Sequence, residues 1–222
     1  MGLNMVSIAT HKACEHIMER SDAEYYYMVS NLSSDKKASF FNLITGYGKD
    51  VLVEATFPRD VMLKYLATSP EAFYDFWISV FLGGSQAGMV GMNGHFANAL
   101  AAIFMACGQD VAQVVNASVG TTICEITSSG DLLMTLKLPN IIIGTIGGGT
   151  MAGTAKECLE VLGCAGSAKA EKFAEIIGAT LLGGEVAIGA AMASGSFVKA
   201  HMSRRNISSH PISMSKHTGD QN

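Results

Sequence analysis

The polar groups able to do chemistry in this chain are few, and each sits beside apolar sequence. Asp35-Lys36-Lys37 places an amine between an acid and a second base on a loop flanked by apolar segments. On composition alone such a triplet is a solvated turn. Held beside an apolar pocket, the middle amine can instead stabilise a developing oxyanion, with its neighbours fixing and tuning it. Asp110 follows ALAAIFMACGQ and precedes VAQVV, so it is expected within a helix that is otherwise buried. A carboxylate there needs a cationic or donor partner, and Lys36 is the partner the sequence offers. His95 and Asn98 lie near the start of the same apolar run and, taken singly, read as satisfied core polar groups. His201, in FVKAHMSRR, reads by itself as a surface histidine. GTIGGGT at 144–150 can form a nest of converging N–H groups or a tight packing turn. It has neither the spacing of a dinucleotide fingerprint nor the Lys-Ser/Thr of a P-loop. No metal site is expected.

These groups belong to a chain of 222 residues, 49% hydrophobic and only 15% charged. That balance excludes disorder and a coiled coil for most of the length. A net charge of −4 argues against a nucleic-acid partner, which calls for a basic face. The apolar window 176–198 contains Glu185 and is dominated by Ala, Gly and Ser. It reads as tightly packed core rather than a membrane span. No signal peptide or myristoylation pattern is visible at the start. The five cysteines lack CxxC spacing, as expected of reduced thiols in a cytoplasmic protein.

Apolar periodicity predicts an amphipathic helix over 3–19, a strand over 25–30 and a short helix over 38–45 closed by Gly46. A strand over 51–57 is terminated by Pro58, and a later helix opens at Ser69-Pro70. Residues 94–115 are apolar nearly all round and predict a helix buried on every side. Strands are expected at 121–127, 132–138 and 141–146. Helices follow at 154–162 and 168–182 and, after Gly183-Gly184, at 185–203. The polar end is expected to be disordered. The fold class is α+β with a central helix.

Taken together and in order, SNLSSDKK, GHFANALAAIFMACGQDVAQ, LPNIIIGTIGGGT and GSFVKAHMSRRN resemble the catalytic domain of class I hydroxymethylglutaryl-coenzyme A reductase. The resemblance runs from residue 1 to about 206. It implies that family's α+β fold: a long buried central helix in the large substrate subdomain, here residues 30–206, and the end of a small ferredoxin-like cofactor subdomain in residues 1–29. Residues 207–222 would be a disordered tail. It also implies NADPH-dependent four-electron reduction of hydroxymethylglutaryl-coenzyme A to mevalonate and free coenzyme A, in isoprenoid and sterol biosynthesis.

By position, Lys36, Asp110 and His201 match the family's catalytic lysine, aspartate and histidine. Ser30, Asp35, Lys37, His95 and Asn98 match positions that hold the hydroxymethylglutaryl group or line the thioester site. Tyr65, Leu66 and Ala67 fall where the family touches coenzyme A, without the basic residue usual there. Met1, Gly2, Leu3 and Asn4 match the tail of the cofactor motif DAMGMN. Gly147 and Gly148 belong to the glycine turn near the cofactor, and Arg205 corresponds, one residue out of register, to a pyrophosphate contact.

The family's catalytic glutamate belongs to a segment upstream of DAMGMN, and the 222 residues hold no counterpart. The chain therefore reads as the C-terminal half of a catalytic domain, inactive in isolation. The alternative is a catalytically dead fragment, or a subunit needing a complementary N-terminal half. The resemblance also implies a homodimer or homotetramer with its site at a subunit interface. The expected location is cytoplasmic, with no membrane segment in this chain, and a membrane anchor in a longer precursor is compatible with it.

Overall fold

The structure is a computed structural model and describes residues 3–197. Helix α1 (Leu3–Met18) is followed by an irregular stretch, α2 (Phe40–Thr45) and strand β1 (Lys49–Phe57). A short helix α3 (Arg59–Val61) runs into a π turn at Met62–Leu66, and α4 spans Pro70–Gln86. Helices α5 (Phe96–Ala106) and α6 (Val114–Ala117) flank a 3-10 turn at Val111–Gln113. Strands β2 (Thr121–Ile126) and β3 (Leu132–Ile141) precede a 3-10 turn at Gly148–Met151, α7 (Gly153–Val161) and α8 (Ala170–Ala193).

The three strands form one antiparallel sheet in the order β1-β3-β2. Alternation decides which face is inward. Leu132, Met134, Leu136 and Leu138 of β3 are buried, while Leu52 of β1 points outward and is exposed. Helix α8 lies against β1 and β3 on the inner face and also packs on α4 and α5. Its Phe173, Ile177 and Leu181 join Phe73 of α4 and Phe96, Leu100 and Phe104 of α5 in the core. The fold is α+β, as the sequence indicates.

Local chemistry accounts for the helix boundaries that the sequence placed well. Ser69 caps α4 by accepting from the Ala72 N–H at 3.2 Å, and Pro70 fills the first helical position. Ser39 caps α2, which ends at Gly46 with φ +73°.

Several expectations are corrected. The tyrosine-rich run 25–30 is irregular, not a strand. Its β-forming residues have no strand to pair with among the described residues, and Tyr25, Tyr27 and Val29 are exposed. Residues 141–146 are not a third separate strand. Strand β3 runs through Pro139 to Ile141, where its partner β1 begins at Lys49, and beyond that point no partner continues the ladder.

The helix expected over 94–115 is only 96–106, and it buries one stripe rather than every side: Phe96, Ala99, Leu100 and Phe104 are covered, while Met105 is 64% exposed. The long central helix of this chain is α8. Gly183-Gly184 does not divide it: α8 runs unbroken from Ala170 to Ala193, and Gly184 packs closely against the His95 ring. A Cβ at Gly178 would overlap Val53 of β1, whereas one at Gly183 would meet nothing within 4 Å.

A pair of substitutions separates these roles. Gly178→Ala is expected to lower stability by about 1–3 kcal/mol through overpacking. Gly183→Ala should be neutral or stabilising by up to about 1 kcal/mol, from helix propensity. Urea denaturation of both variants checks this, and equal effects would contradict the packing account.

Among the described residues, α8 is the one helix long and apolar enough to cross a membrane by length and composition. Here it is the centre of the packed core. Helix α1, by contrast, exposes Met5, Val6, Ile8 and Ile17. A hydrogen bond of 2.6 Å between the Tyr26 hydroxyl and the His11 ring ties α1 to the stretch that follows it.

Candidate active site

The loop carrying Lys36 is conformationally costly and is held by amide side chains. Asn31, Ser34 and Lys36 all have positive φ, between +53° and +63°, a region that penalises residues with a Cβ by roughly 1–2 kcal/mol each. Asn42, buried on α2, donates to the Ser34 carbonyl at 3.0 Å and the Lys37 carbonyl at 3.2 Å. Asn116, on α6, donates to the Ser34 carbonyl at 3.4 Å. Gln113 donates to Asp35 Oδ1 at 2.7 Å.

On this loop the Lys36 ammonium meets Asp110, with Nζ 2.8 Å from Oδ2. The pair forms within one chain. Asp110 does not sit inside the buried helix, as the sequence suggested. Helix α5 stops at Ala106, Gly108 turns the chain with φ +63°, and Asp110 caps the following 3-10 turn by accepting from the Ala112 N–H. The break leaves the carboxylate partly exposed and free to reach the loop. The hydrogen bond to Asp110 raises the Lys36 pKa above its ordinary value, against an opposing effect of burial. The amine is therefore an ammonium ion at neutral pH. Burial first, then the Asp35 carboxylate, raises the Tyr47 phenol.

The glycine turn packs against the same break. A Cβ at Gly108 would overlap the Gly149 carbonyl, so the two backbones touch only because both residues are glycine. Gln109 fixes the other strand of the contact: its amide donates to the Gly144 carbonyl at 2.9 Å and accepts from the Gly144 N–H at 2.8 Å. The result is a cavity of about 270 Å³ lined by Asn4, Gly108, Gln109, Asp110, Gly144, Gly147, Gly148, Gly149 and Thr150. Cβ positions at Gly147 and Gly148 meet nothing within 4 Å, so this wall is open to a ligand. Of the sequence-selected cofactor residues, Asn4, Gly147 and Gly148 come together here with Asp110. Leu3 opens α1.

His95 lies at the opposite end of α5, about 16 Å away along the helix axis at 1.5 Å per residue. It takes the N-cap position without a side-chain cap. That end is capped from α8: Glu185 accepts from the Gly94 N–H at 2.9 Å, from the His95 N–H, and from the Thr122 hydroxyl at 3.1 Å. Burial raises the Glu185 pKa, opposed by these donors. The His95 Nδ1 is buried without a partner. Glu185→Leu would leave two backbone N–H groups and a hydroxyl unpaired at roughly 1–3 kcal/mol each. A loss of at least about 3 kcal/mol is expected by chemical denaturation, and a change below 1 kcal/mol would contradict the capping role.

Among the described residues, no hydrogen bond or ion pair joins the other selected residues to the Lys36–Asp110 pair. Asn98 is exposed on the first turn of α5, and Lys37 is exposed beside Lys36. Ser30 accepts from the Leu32 N–H at 3.4 Å. Tyr65 and Leu66 end the π turn, and Ala67 follows with φ +54°. Lys64 stacks over the Tyr65 ring at 4.9 Å, putting a cation beside the segment expected to lack one. Met1, Gly2, His201 and Arg205, and the tail at 207–222, lie outside the described residues. Sequence reading missed Asn42, Tyr47, Gln113, Asn116 and Glu185 as parts of the site's frame. The spacing D-x-x-Q-x-x-N from Asp110, with three polar groups on successive short turns, was the signal available.

Comparison with known proteins shows which family the chain is similar to. The family described as hydroxymethylglutaryl-coenzyme A reductase matches residues 1–206. The 3-hydroxy-3-methylglutaryl-coenzyme A reductase of Methanothermobacter thermautotrophicus is 41% identical over 202 residues, covering 90% of this chain and 51% of that protein. The one from Methanocaldococcus jannaschii is 42% identical over 207 residues, with 90% and 51% covered. The Xenopus laevis protein of the same name is 39% identical over 213 residues, covering 91% of this chain and 24% of its own length. The chain thus spans about half the length of the archaeal relatives it matches. With a family match over residues 1–206 and a paired lysine and aspartate beside a glycine-walled cavity, the chain belongs to the hydroxymethylglutaryl-coenzyme A reductase family of oxidoreductases.

Proposed function

We propose that these residues form the substrate-side half of a reductase converting hydroxymethylglutaryl-coenzyme A to mevalonate and coenzyme A with NADPH. The observation that carries this reading is the Lys36–Asp110 ion pair at 2.8 Å, with Asp110 also lining the glycine-walled cavity. That cavity contains a carboxylate and no cation among its lining residues. It therefore suits the uncharged nicotinamide end of a dinucleotide better than its pyrophosphate. Asn4, Thr150 and the 147–149 backbone would hold that end, and bound NADPH would supply a hydride for each of the two reductions.

The chain's own groups would manage charge and protons. The Lys36 ammonium would hydrogen-bond the thioester oxygen and stabilise negative charge as the carbonyl is reduced. Asp110 keeps that amine protonated and oriented. After the carbon–sulfur bond of the hemithioacetal breaks, His201 would protonate the coenzyme A thiolate, and Lys36 would serve the aldehyde oxygen in the second reduction. Ser30, Asp35 and Lys37 would hold the hydroxymethylglutaryl group, and Tyr65 to Ala67 would contact coenzyme A. Arg205 would meet the cofactor pyrophosphate.

A homo-oligomer is part of the same proposal. His95 and Asn98 stand at the start of α5, the end away from Asp110, and would reach the acyl group bound at a partner's Lys36. We place the boundary between cofactor and substrate subdomains near residue 29. The exposed apolar residues of α1 favour a further reading, in which an N-terminal half, in the same polypeptide or supplied separately, completes the cofactor subdomain. The test is to join the chain to the N-terminal half of an archaeal relative and quantify products. Mevalonate, one coenzyme A and two oxidised NADPH per turnover are expected. Free coenzyme A without NADPH oxidation would indicate a thioesterase and overturn the reading.

A further inference from the structure

Two neighbouring loop residues are gripped by two residues of a single turn. Lys36 is held by Asp110, and Asp35 by Gln113, three positions later in the same 3-10 turn. Gln113 is fully buried, and its Nε2 lies 2.7 Å from Asp35 Oδ1. Its Oε1 is buried with no partner, so the side chain is placed for the bond it donates. We propose that Gln113 is a positioning residue: by fixing Asp35 it sets the direction in which the adjacent Lys36 leaves the loop and keeps the amine on Asp110.

The physical case rests on the loop's backbone. Lys36 sits at φ +56°, a conformation its Cβ disfavours. Released from its anchors, the segment would relax toward the ordinary helical or extended regions, and either change swings the lysine side chain away from Asp110. Asn42 and Asn116 hold the backbone at Ser34 and Lys37. Gln113 grips a side chain of the catalytic pair's immediate neighbour. It touches no position assigned to substrate, cofactor or the reacting atoms except through Asp35, so its effect on chemistry passes through Lys36.

This inference deepens the reductase reading, since it takes its importance from the role of Lys36, but it can be tested without turnover. The experiment follows Lys36 in the 222-residue chain by carbon-13 NMR of its ε-methylene during an alkaline titration, together with mass-spectrometric reductive methylation of each lysine. In the parent chain Lys36 should titrate above the ordinary lysine value and be methylated slowly. In Gln113→Met its titration should move down toward that ordinary value. Its methylation should speed up by at least about twofold relative to Lys12, the lower end of neighbour coupling energies. The exchanged pair Asp35→Asn with Gln113→Glu, which reverses donor and acceptor, should restore both readouts. Thermal unfolding of each variant establishes that it is folded.

If Gln113→Met does not fold, the exchanged pair and Tyr47→Phe carry the same readouts, because the Tyr47 side chain also interacts with Asp35. A folded Gln113→Met with the Lys36 titration and methylation rate of the parent overturns the proposal. So does an exchanged pair that fails to restore them. Inactivity of the completed enzyme alongside these shifts would instead refute the reductase reading and leave the clamp standing.

Discussion

Lys36→Met in the completed enzyme is expected to lower kcat by at least about 10²–10³-fold, with a much smaller change in KM, because a positioned donor at a developing oxyanion acts mainly in the transition state. Methionine keeps most of the side-chain volume and removes the charge, so the loss reports the ammonium and not the packing. The pH dependence has a definite sign. Lys36 has its pKa raised by the bond to Asp110. Its protonated form, and the contribution of the ion pair to stability, are fully present below the ordinary lysine pKa. Both are lost as pH rises through the higher folded value. The alkaline limb of kcat should therefore fall above the ordinary lysine range and move to lower pH in Asp110→Asn. Steady-state kinetics from neutral to alkaline pH check both statements. An alkaline limb unchanged by Asp110→Asn would remove Lys36 as its origin.

The second large effect concerns the 222 residues taken alone. They are expected to reduce hydroxymethylglutaryl-coenzyme A at least about 10⁴-fold more slowly than the same chain joined to a relative's N-terminal half. Two losses combine. The glutamate that the family resemblance places upstream is not among these residues, and a positioned acid contributes about 10²–10⁴-fold. The cavity proposed to hold the cofactor would have only part of its cradle, and a misplacement of about 1 Å can cost a further factor near 10². The exposed Met5, Val6, Ile8 and Ile17 should also make the isolated chain self-associate more than the joined form. Activity assays and light scattering on both forms test this. Comparable turnover by the two would show that the pair and its cavity suffice.

How much of this was legible in the sequence depends on whether the deciding contact is local. Ser69 and Pro70 announce α4 because a cap acts within three residues, and Pro58 ends β1 for the same reason. The 25–30 and 141–146 segments have strand chemistry, but a strand needs a partner, and β1 begins opposite Ile141 and offers none beyond it. Gly183-Gly184 reads as a break in sequence. In the fold, Gly184 admits the His95 ring and Gly178 admits β1, contacts between elements far apart in the chain.

The site divides in the same way. Lys36 and Asp110 could be paired from sequence because an acid beside apolar sequence demands a cation. Asp110 was nevertheless placed inside the helix, since nothing local reveals that Gly108 turns the chain to meet Gly149. Gln113 lies in the 94–115 run expected to be one buried helix, and Asn116 lies just beyond it. Their role emerges only once the 31–37 loop, some eighty residues earlier in the chain, is folded back onto them.

The central claim is that Lys36 and Asp110 act as one catalytic unit. The most direct measurement is a double-mutant cycle on kcat, with Lys36→Met, Asp110→Asn and the double variant in the chain joined to a relative's N-terminal half. If the aspartate works through the lysine, the double variant should be no slower than Lys36→Met within about twofold, because residues acting as a unit are strongly non-additive. A double variant slower by the product of the two single losses would show that the residues act independently and contradict the account.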